Sequence, residues 1–99
     1  MIVRLVKMTF RVEEVSHFQE LFEGWRHKII ASPGCHQLQL LHDANDPRVF
    51  FTYSVWDDLA HLEAYRKSEV FDSVWPVVKA LFAEKAVAWT VEREHDMGA

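Results

Sequence analysis

A lysine, a tyrosine and two tryptophans are the side chains of this sequence whose chemistry best suits a ligand site. Lys7 lies within an apolar segment, and burial there would disfavour its charged form unless an anion neutralised it. Its ammonium could then bind a phenolate or an enolate, although a lysine whose amine reaches the surface fits the same pattern. Tyr65 could hydrogen-bond a substrate oxygen or pack at a helix edge. Trp56 and Trp75 could line a flat aromatic site or fill a core.

The sequence lacks the residue patterns of the common catalytic and metal-binding classes. Its six histidines (17, 27, 36, 42, 61 and 95) have no metal-ligand spacing, and solvated imidazoles are the simpler interpretation of most of them. It contains no Ser-His-Asp arrangement, glycine-rich phosphate loop or pair of catalytic carboxylates. Cys35 has no obvious basic neighbour, so we expect a buried structural thiol. We therefore expect no bound metal and no cofactor.

The composition predicts one globular domain over residues 1–99, with a frayed tail at about 95–99. Apolar residues make up 49% and charged residues 26%, which argues against disorder. The net charge is 11 − 15 = −4, and the lack of a basic cluster argues against a nucleic-acid partner. No apolar run approaches the roughly 20 residues of a membrane span. The single cysteine and the lack of a signal-peptide pattern predict a cytoplasmic protein.

Alternating apolar residues predict four strands. They are Met1–Arg11, Cys35–His42, Arg48–Trp56 and Lys85–Glu94. A turn cluster of Asp, Asn and Pro over residues 43–47 separates the second strand from the third.

Apolar residues at helical spacing occur between the first and second strands and between the third and fourth. An apolar stripe at spacings of three and four predicts a helix between Val12 and Ile30. Asp57 or Asp58 is expected to cap a second helix. Ser68 can cap a further helical stretch, whose apolar residues at helical spacing extend to Phe82. Pro76 must kink this stretch or open a new helix there. The resulting order, β-α-β-β-α-β, is typical of ferredoxin-like α+β domains, in which helices cover one face of a four-stranded antiparallel sheet.

The other face of the sheet is predicted to be largely apolar. It would expose Ile2, Val6, Met8, Phe10, Val49, Phe51, Tyr53 and Val55. Soluble monomers rarely expose so much contiguous apolar surface. We therefore expect a homodimer joined sheet to sheet.

The stretch FFTYSVWDDLAHLEAYRKSEVF, residues 50–71, resembles the antibiotic biosynthesis monooxygenase domains. Their signature is an aromatic strand ending in Trp, an acidic helix start, an alanine- and leucine-rich helix and a Ser-x-x-Phe-like segment. Pro33-Gly34-Cys35, at the entry to the second strand, also fits this family. The resemblance covers essentially the whole chain in element order. It implies a ferredoxin-like domain that dimerises through its sheet into an α+β barrel.

The resemblance also implies an activity. Members include cofactor-independent monooxygenases that oxidise a small electron-rich aromatic, such as a phenol, quinol or anthrone, with dioxygen. The alternative is a non-catalytic, small-ligand-binding or stress-related dimer that uses the same cavity. Haem degradation is disfavoured, because Lys7 stands where that branch of the family has an Asn and Trp75 where it has its haem-ligating His.

Strand alternation and the family-like Trp56 together predict one cavity on the helix side of the sheet. In a monooxygenase, Lys7 would stabilise the substrate anion and Tyr65 would hydrogen-bond a substrate oxygen. The residues expected to surround the substrate are Lys7, Thr52, Ser54, Trp56, Tyr65 and Trp75.

Overall fold

Four antiparallel strands form one sheet in the computed structural model, which describes residues 1–98. The strands are β1 (Ile2–Phe10), β2 (Cys35–His42), β3 (Val49–Trp56) and β4 (Phe82–Glu92), in the order β2-β3-β1-β4. The helices are α1 (Val15–Ile30), α2 (Leu59–Arg66) and α3 (Glu69–Lys79), and a 3-10 turn over Val12–Glu14 precedes α1. The predicted ferredoxin-like α+β fold is confirmed. Within residues 1–98, no helix is long and apolar enough to cross a membrane.

The hydrophobic core lies between the sheet and the helices. Phe10 of β1 is fully buried, and its ring centre lies 4.1 Å from that of Phe18 on α1. Phe50 of β3 contacts both rings edge-on. Each such aromatic pair stabilises the fold by about 0.5–1.5 kcal/mol beyond the contribution of the area that it buries. This cluster fixes α1 against the central strands.

β1 and β3 pair so that their even-numbered residues share the helix-covered face of the sheet. Arg4 lies opposite Ser54, whereas Lys7 lies opposite Phe51. Lys7 therefore points to the other face, and the prediction that it shares a face with Trp56 is wrong. Alternation assigns residues to faces within one strand, but only the register between two strands decides which of these faces coincide.

The helix-free face, here called the open face, is apolar but carries different β1 residues from those predicted. The even-numbered residues of β1 lie on the helix side, where Met8 and Phe10 are buried. The β3 residues predicted for the open face do lie on it. Its central residues are Val3, Leu5, Lys7, Phe51, Tyr53, Val55, Val87, Trp89 and Val91.

Side-chain caps begin α2 and α3, as the sequence predicts. Asp58 accepts the backbone N–H of His61 at 2.9 Å, and Ser68 accepts that of Phe71 at 3.2 Å. α2 also lies close to the turn before β2. Gly34 in that turn has a φ of 82°, and a Cβ there would lie 2.5 Å from Cγ of His61. Glycine is required here by both the left-handed backbone and the close approach of α2.

The junction between α3 and β4 differs from the prediction. Pro76 lies inside α3, which continues to Lys79, so no new helix opens at the proline. Phe82 begins β4, although its spacing predicted a helix and the strand was expected only from Lys85. Phe82 pairs with Phe10 of β1, and this tertiary contact overrides the local pattern. Residues 93–98 form neither helix nor strand, and Ala99, at the end of the predicted tail, lies outside the described residues.

Candidate functional site

A cavity of about 210 Å³ lies between the helix-covered face of the sheet and the three helices. A dry apolar cavity of about 150 Å³ is enough to hold benzene inside a protein. The cavity therefore has room for a small aromatic molecule. Most of its wall is apolar or aromatic, which is typical of small-molecule sites.

Three strands form the floor of the cavity. Their contributing residues are Arg4, Val6 and Met8 of β1, Thr52, Ser54 and Trp56 of β3, and Ala86 and Ala88 of β4. The two alanines are the smallest side chains of the floor, so the space above β4 stays open. The size of the cavity thus depends on β4 as much as on the helices.

A row of aromatic rings forms one wall. The ring of Trp56 lies 4.9 Å from that of Tyr65 on α2, and Tyr65 lies 5.5 Å from Phe71 on α3. Phe71 stacks on Trp75 at 5.9 Å, with the two planes 13° apart. These contacts position α2 and α3 against β3. They also give a planar ligand flat surfaces on which to stack.

The indole of Trp56 is fixed by a hydrogen bond to a neighbour on the same strand. Its Nε1–H donates to Oγ of Ser54 at 3.0 Å, and this hydroxyl lies 3.5 Å from the backbone carbonyl of Arg4. Ser54 therefore positions Trp56, and its oxygen is already engaged. Thr52 lines the cavity with a hydroxyl that makes no side-chain hydrogen bond within residues 1–98.

Tyr65 brings a phenol into the cavity as a hydrogen-bond donor. Burial raises the pKa of Tyr65 to about 12, with a smaller contribution from Cys35. The phenol is therefore protonated at neutral pH. Within the part of the chain that the structure describes, its hydroxyl makes no hydrogen bond. The hydroxyl oxygen is not fully buried, so a ligand in the cavity can reach it. Tyr65 can donate to a ligand oxygen but cannot act as a base at neutral pH.

Two arginines give the cavity its positive charge. Arg4 donates from Nη1 to Oγ1 of Thr90 at 2.7 Å, and Arg66 donates from Nη1 to Oε1 of Glu63 at 3.2 Å. Burial lowers the pKa of Arg4, Arg66 lowers it further, and Glu63 opposes this with a smaller effect. A guanidinium group stays charged at any physiological pH. Within residues 1–98, no aspartate or glutamate lines the cavity.

Residues 1–74 match the family model for antibiotic biosynthesis monooxygenase. The chain belongs to the antibiotic biosynthesis monooxygenase family. No curated protein matches the sequence with significance.

Solved structures similar to this antibiotic biosynthesis monooxygenase family member share its fold at low sequence identity. A candidate antibiotic biosynthesis monooxygenase from Nitrosomonas europaea is 19% identical, with a TM-score of 0.88, over 96% of this chain and 100% of the other. A variant of SnoaB, a cofactor-independent oxygenase from Streptomyces nogalater, is 13% identical, with a TM-score of 0.88, over 99% and 97%. A protein from Methanosarcina mazei is 17% identical, with a TM-score of 0.88, over 95% and 94%.

Five of the six residues predicted to surround the substrate line the cavity. They are Thr52, Ser54, Trp56, Tyr65 and Trp75. The placement of Lys7 in the cavity is wrong. Its cross-strand neighbours are Phe51 and Val87, on the open face.

Sequence reasoning missed the two arginines of this family member. The even-numbered residues of β1 include Val6, Met8 and Phe10, a more apolar set than the odd-numbered ones, and this pattern could have placed Arg4 under the helices. Arg66 follows Tyr65 at the end of α2, and no sequence signal marks it as a cavity residue.

The remaining polar groups near β2 have structural roles. His36 contacts Asp57 and so ties β2 to the segment before α2, whereas Nδ1 of His61 lies 2.8 Å from Oδ1 of Asp58 within the first turn of α2. Burial raises the pKa of the half-buried Cys35 thiol, which disfavours the reactive thiolate. Within residues 1–98, no three His, Cys, Asp or Glu side chains are grouped so that they could hold a metal ion.

Proposed function

We propose that this chain is a cofactor-independent monooxygenase that oxidises a small electron-rich aromatic, such as a phenol, quinol or anthrone, with dioxygen. Membership of the antibiotic biosynthesis monooxygenase family supports a monooxygenase, and the structurally similar SnoaB is a cofactor-independent oxygenase. The observation that carries the proposal is the polar content of the cavity. Its groups are cations and hydrogen-bond donors, which suit a substrate oxyanion inside an aromatic wall.

The proposed reaction begins with loss of a proton from the substrate. An anthrone ionises to an enolate, whose oxygen accepts a hydrogen bond from Tyr65 and lies in the positive field of Arg4. The electron-rich carbon of the enolate then reduces dioxygen and bonds to it, which gives a peroxide. The O–O bond breaks as the remaining C–H proton leaves. One oxygen atom stays as the new ketone of a quinone, and the other leaves as water.

The apolar wall supports this chemistry by keeping water out. Trp56 is 1% exposed, and the rings next to it shield the inner end of the cavity from solvent. In a dry site, the interaction of the oxyanion with Arg4 and Tyr65 is stronger than in water. The protein then acts by shifting the ionisation of the substrate.

A pair of matched substitutions tests the proposal. Arg4→Met removes the cation from the cavity, whereas Lys7→Met removes one from the opposite face of the sheet. With an anthrone as substrate, Arg4→Met should lower kcat/KM for oxygen consumption by about 100-fold, as expected for loss of a group that stabilises an oxyanion. Lys7→Met should keep the wild-type rate.

Two outcomes would contradict the proposal. If Arg4→Met and Lys7→Met both keep the wild-type rate, Arg4 does not stabilise the anion. If the wild-type protein binds anthrones and phenols but consumes no oxygen with any of them, the non-catalytic ligand-binding alternative is correct.

We also propose that two copies of the chain join through the open face. The support is the exposure of its apolar residues, since Val87, Trp89 and Val91 are 47%, 44% and 40% exposed. An apolar area of this kind is typical of interfaces. The dimer would complete an α+β barrel with helices on its outside.

A further inference from the structure

We propose that the substrate of this cavity is an aromatic carboxylate, and that Arg66, the cation of the cavity nearer the surface, binds its carboxylate group. The inference rests on the proposed function in one respect, that the cavity is the substrate site. The proposed oxygenation requires one cation near the substrate oxyanion, and Arg4 supplies it. The cavity has a second cation, Arg66, for which that chemistry has no use.

The two guanidinium groups repel one another in the free protein. Arg66 lowers the pKa of Arg4 by more than Glu63 raises it, so the local balance of charge is positive. Arg66 has a partner in Glu63, but among residues 1–98 no carboxylate lies within ion-pair distance of Arg4. An anion bound at Arg66 would reduce this repulsion. Two positive charges held close together are expected of an anion site, because the bound anion neutralises them.

The shape of the guanidinium group favours a carboxylate. Each guanidinium is a planar fork whose N–H groups match the two oxygens of a carboxylate in a bidentate pair. Arg4 uses one of its five N–H donors on Thr90, which leaves donors available for a ligand. Arg66 has the same geometry, and its contact with Glu63 is at the protein surface.

The exposure of the residues gives the orientation of the ligand. The side chain of Arg66 is 42% exposed and Arg4 is half-buried, whereas Trp56 at the inner end is 1% exposed. The carboxylate would therefore lie towards the mouth, where it remains partly hydrated. The aromatic ring would lie against Trp56 and Tyr65, in the apolar part of the cavity. A cavity of about 210 Å³ limits the ring system to a small one.

Isothermal titration calorimetry with matched ligands tests the inference. The probes are 6-hydroxy-2-naphthoate, 2-naphthol, which lacks only the carboxylate, and 2-naphthyl phosphate. The wild-type protein should bind the naphthoate at least tenfold more tightly than 2-naphthol. Arg66→Gln should reduce this preference to threefold or less, and Arg66→Lys should retain part of it. Lys67→Gln removes the same charge from the next residue, outside the cavity lining, and should leave the preference unchanged.

Three results would overturn the inference. They are equal affinity for the naphthoate and 2-naphthol, an undiminished preference in Arg66→Gln, and tighter binding of the naphthyl phosphate than of the naphthoate, which would assign the site to phosphate. Oxygen consumption with a neutral anthrone separates this inference from the proposed function. Turnover of the anthrone without any carboxylate preference refutes the inference alone. A carboxylate preference that depends on Arg66, without turnover, supports the inference and refutes the oxygenase.

Discussion

Among residues 1–98, those that line the cavity include hydrogen-bond donors and cations but no base. Tyr65 stays protonated because burial raises its pKa to about 12, and in the part of the chain that the structure describes no carboxylate or imidazole lines the cavity. The proton that the substrate loses must therefore pass to water outside the dry inner end of the cavity. The protein assists by favouring the oxyanion, so the pH dependence of turnover should follow the pKa of the bound substrate rather than that of a protein group.

The pKa of Tyr65 can be measured directly by titration of tyrosinate absorbance, because the chain has only two tyrosines. One ionisation step should occur at about pH 12 in the wild-type protein, since the phenol loses its charge-stabilising water on burial. The raised pKa disfavours ionisation in the folded state. The contribution of the neutral phenol to the free energy of unfolding is therefore fully present below about pH 10, the pKa of a tyrosine in the unfolded chain. This contribution is lost as the pH rises towards 12.

Tyr65→Phe supplies the control for this titration. The step at about pH 12 should be absent from the variant, while the rest of the absorbance curve stays the same. A Tyr65→Phe spectrum that still contains the step would assign the high pKa elsewhere. A normal pKa for Tyr65 would mean that the phenol is hydrated and that the cavity is not dry.

At the scale of the elements, the sequence predicted helix caps, which depend on adjacent residues, better than it predicted the register between paired strands. The caps of α2 and α3 follow from Asp58 and Ser68, because a cap depends on a few adjacent residues. The register between β1 and β3 depends on contacts between residues about fifty positions apart, so neither strand alone contains it. This is why the β3 residues predicted to line the cavity do line it, whereas Lys7 was assigned to the wrong face.

Ser68 connects the two helices that hold the aromatic wall. Its Oγ accepts the N–H of Phe71 at 3.2 Å and donates to the carbonyl of Tyr65 at 2.6 Å. Ser68→Ala should lower the free energy of unfolding by about 1 kcal/mol, as expected for a lost cap. Urea unfolding measures this change. Ser73→Ala, at an exposed position inside α3, is the control and should cost little, because alanine favours helix. Equal losses in both variants would contradict a capping role.

The floor of the cavity depends on the small residues of β4. Ala86 is half-buried and lines the cavity, so Ala86→Leu should fill part of its 210 Å³ with side chain. We expect binding of 6-hydroxy-2-naphthoate to weaken by at least tenfold, while the melting temperature stays the same or rises because apolar surface is buried. Calorimetry and thermal unfolding measure the two effects.

Ala83→Leu is the matched control for the cavity-filling variant. Ala83 also belongs to β4 but is exposed and does not line the cavity. Binding should be unchanged in this variant. Normal ligand affinity in Ala86→Leu would place the ligand site outside the cavity.

For the molecule as a whole, the two faces of the sheet have different proposed roles, one in ligand binding and the other in dimer formation. The helix-covered face encloses the cavity, and the open face carries an apolar surface with Lys7 in its β1 strand. A lysine at that position is compatible with an interface, because its apolar stem can be buried while its amine reaches the rim. Lys7, which sequence reasoning assigned to catalysis, would then be part of the dimer interface.

The proposed dimer gives the last prediction. Multi-angle light scattering at micromolar concentration should show twice the chain mass of 11.6 kDa, since an apolar sheet face can bury more than the roughly 1,000 Å² of a biological interface. Trp89→Lys adds a charge to the exposed centre of β4 and should shift the mass towards that of a monomer. His27→Lys adds the same charge on α1, at an exposed position on the helix side, and should leave the dimer intact. A monomeric mass for the wild-type protein, or a dimer that Trp89→Lys leaves unchanged, would refute association through the open face.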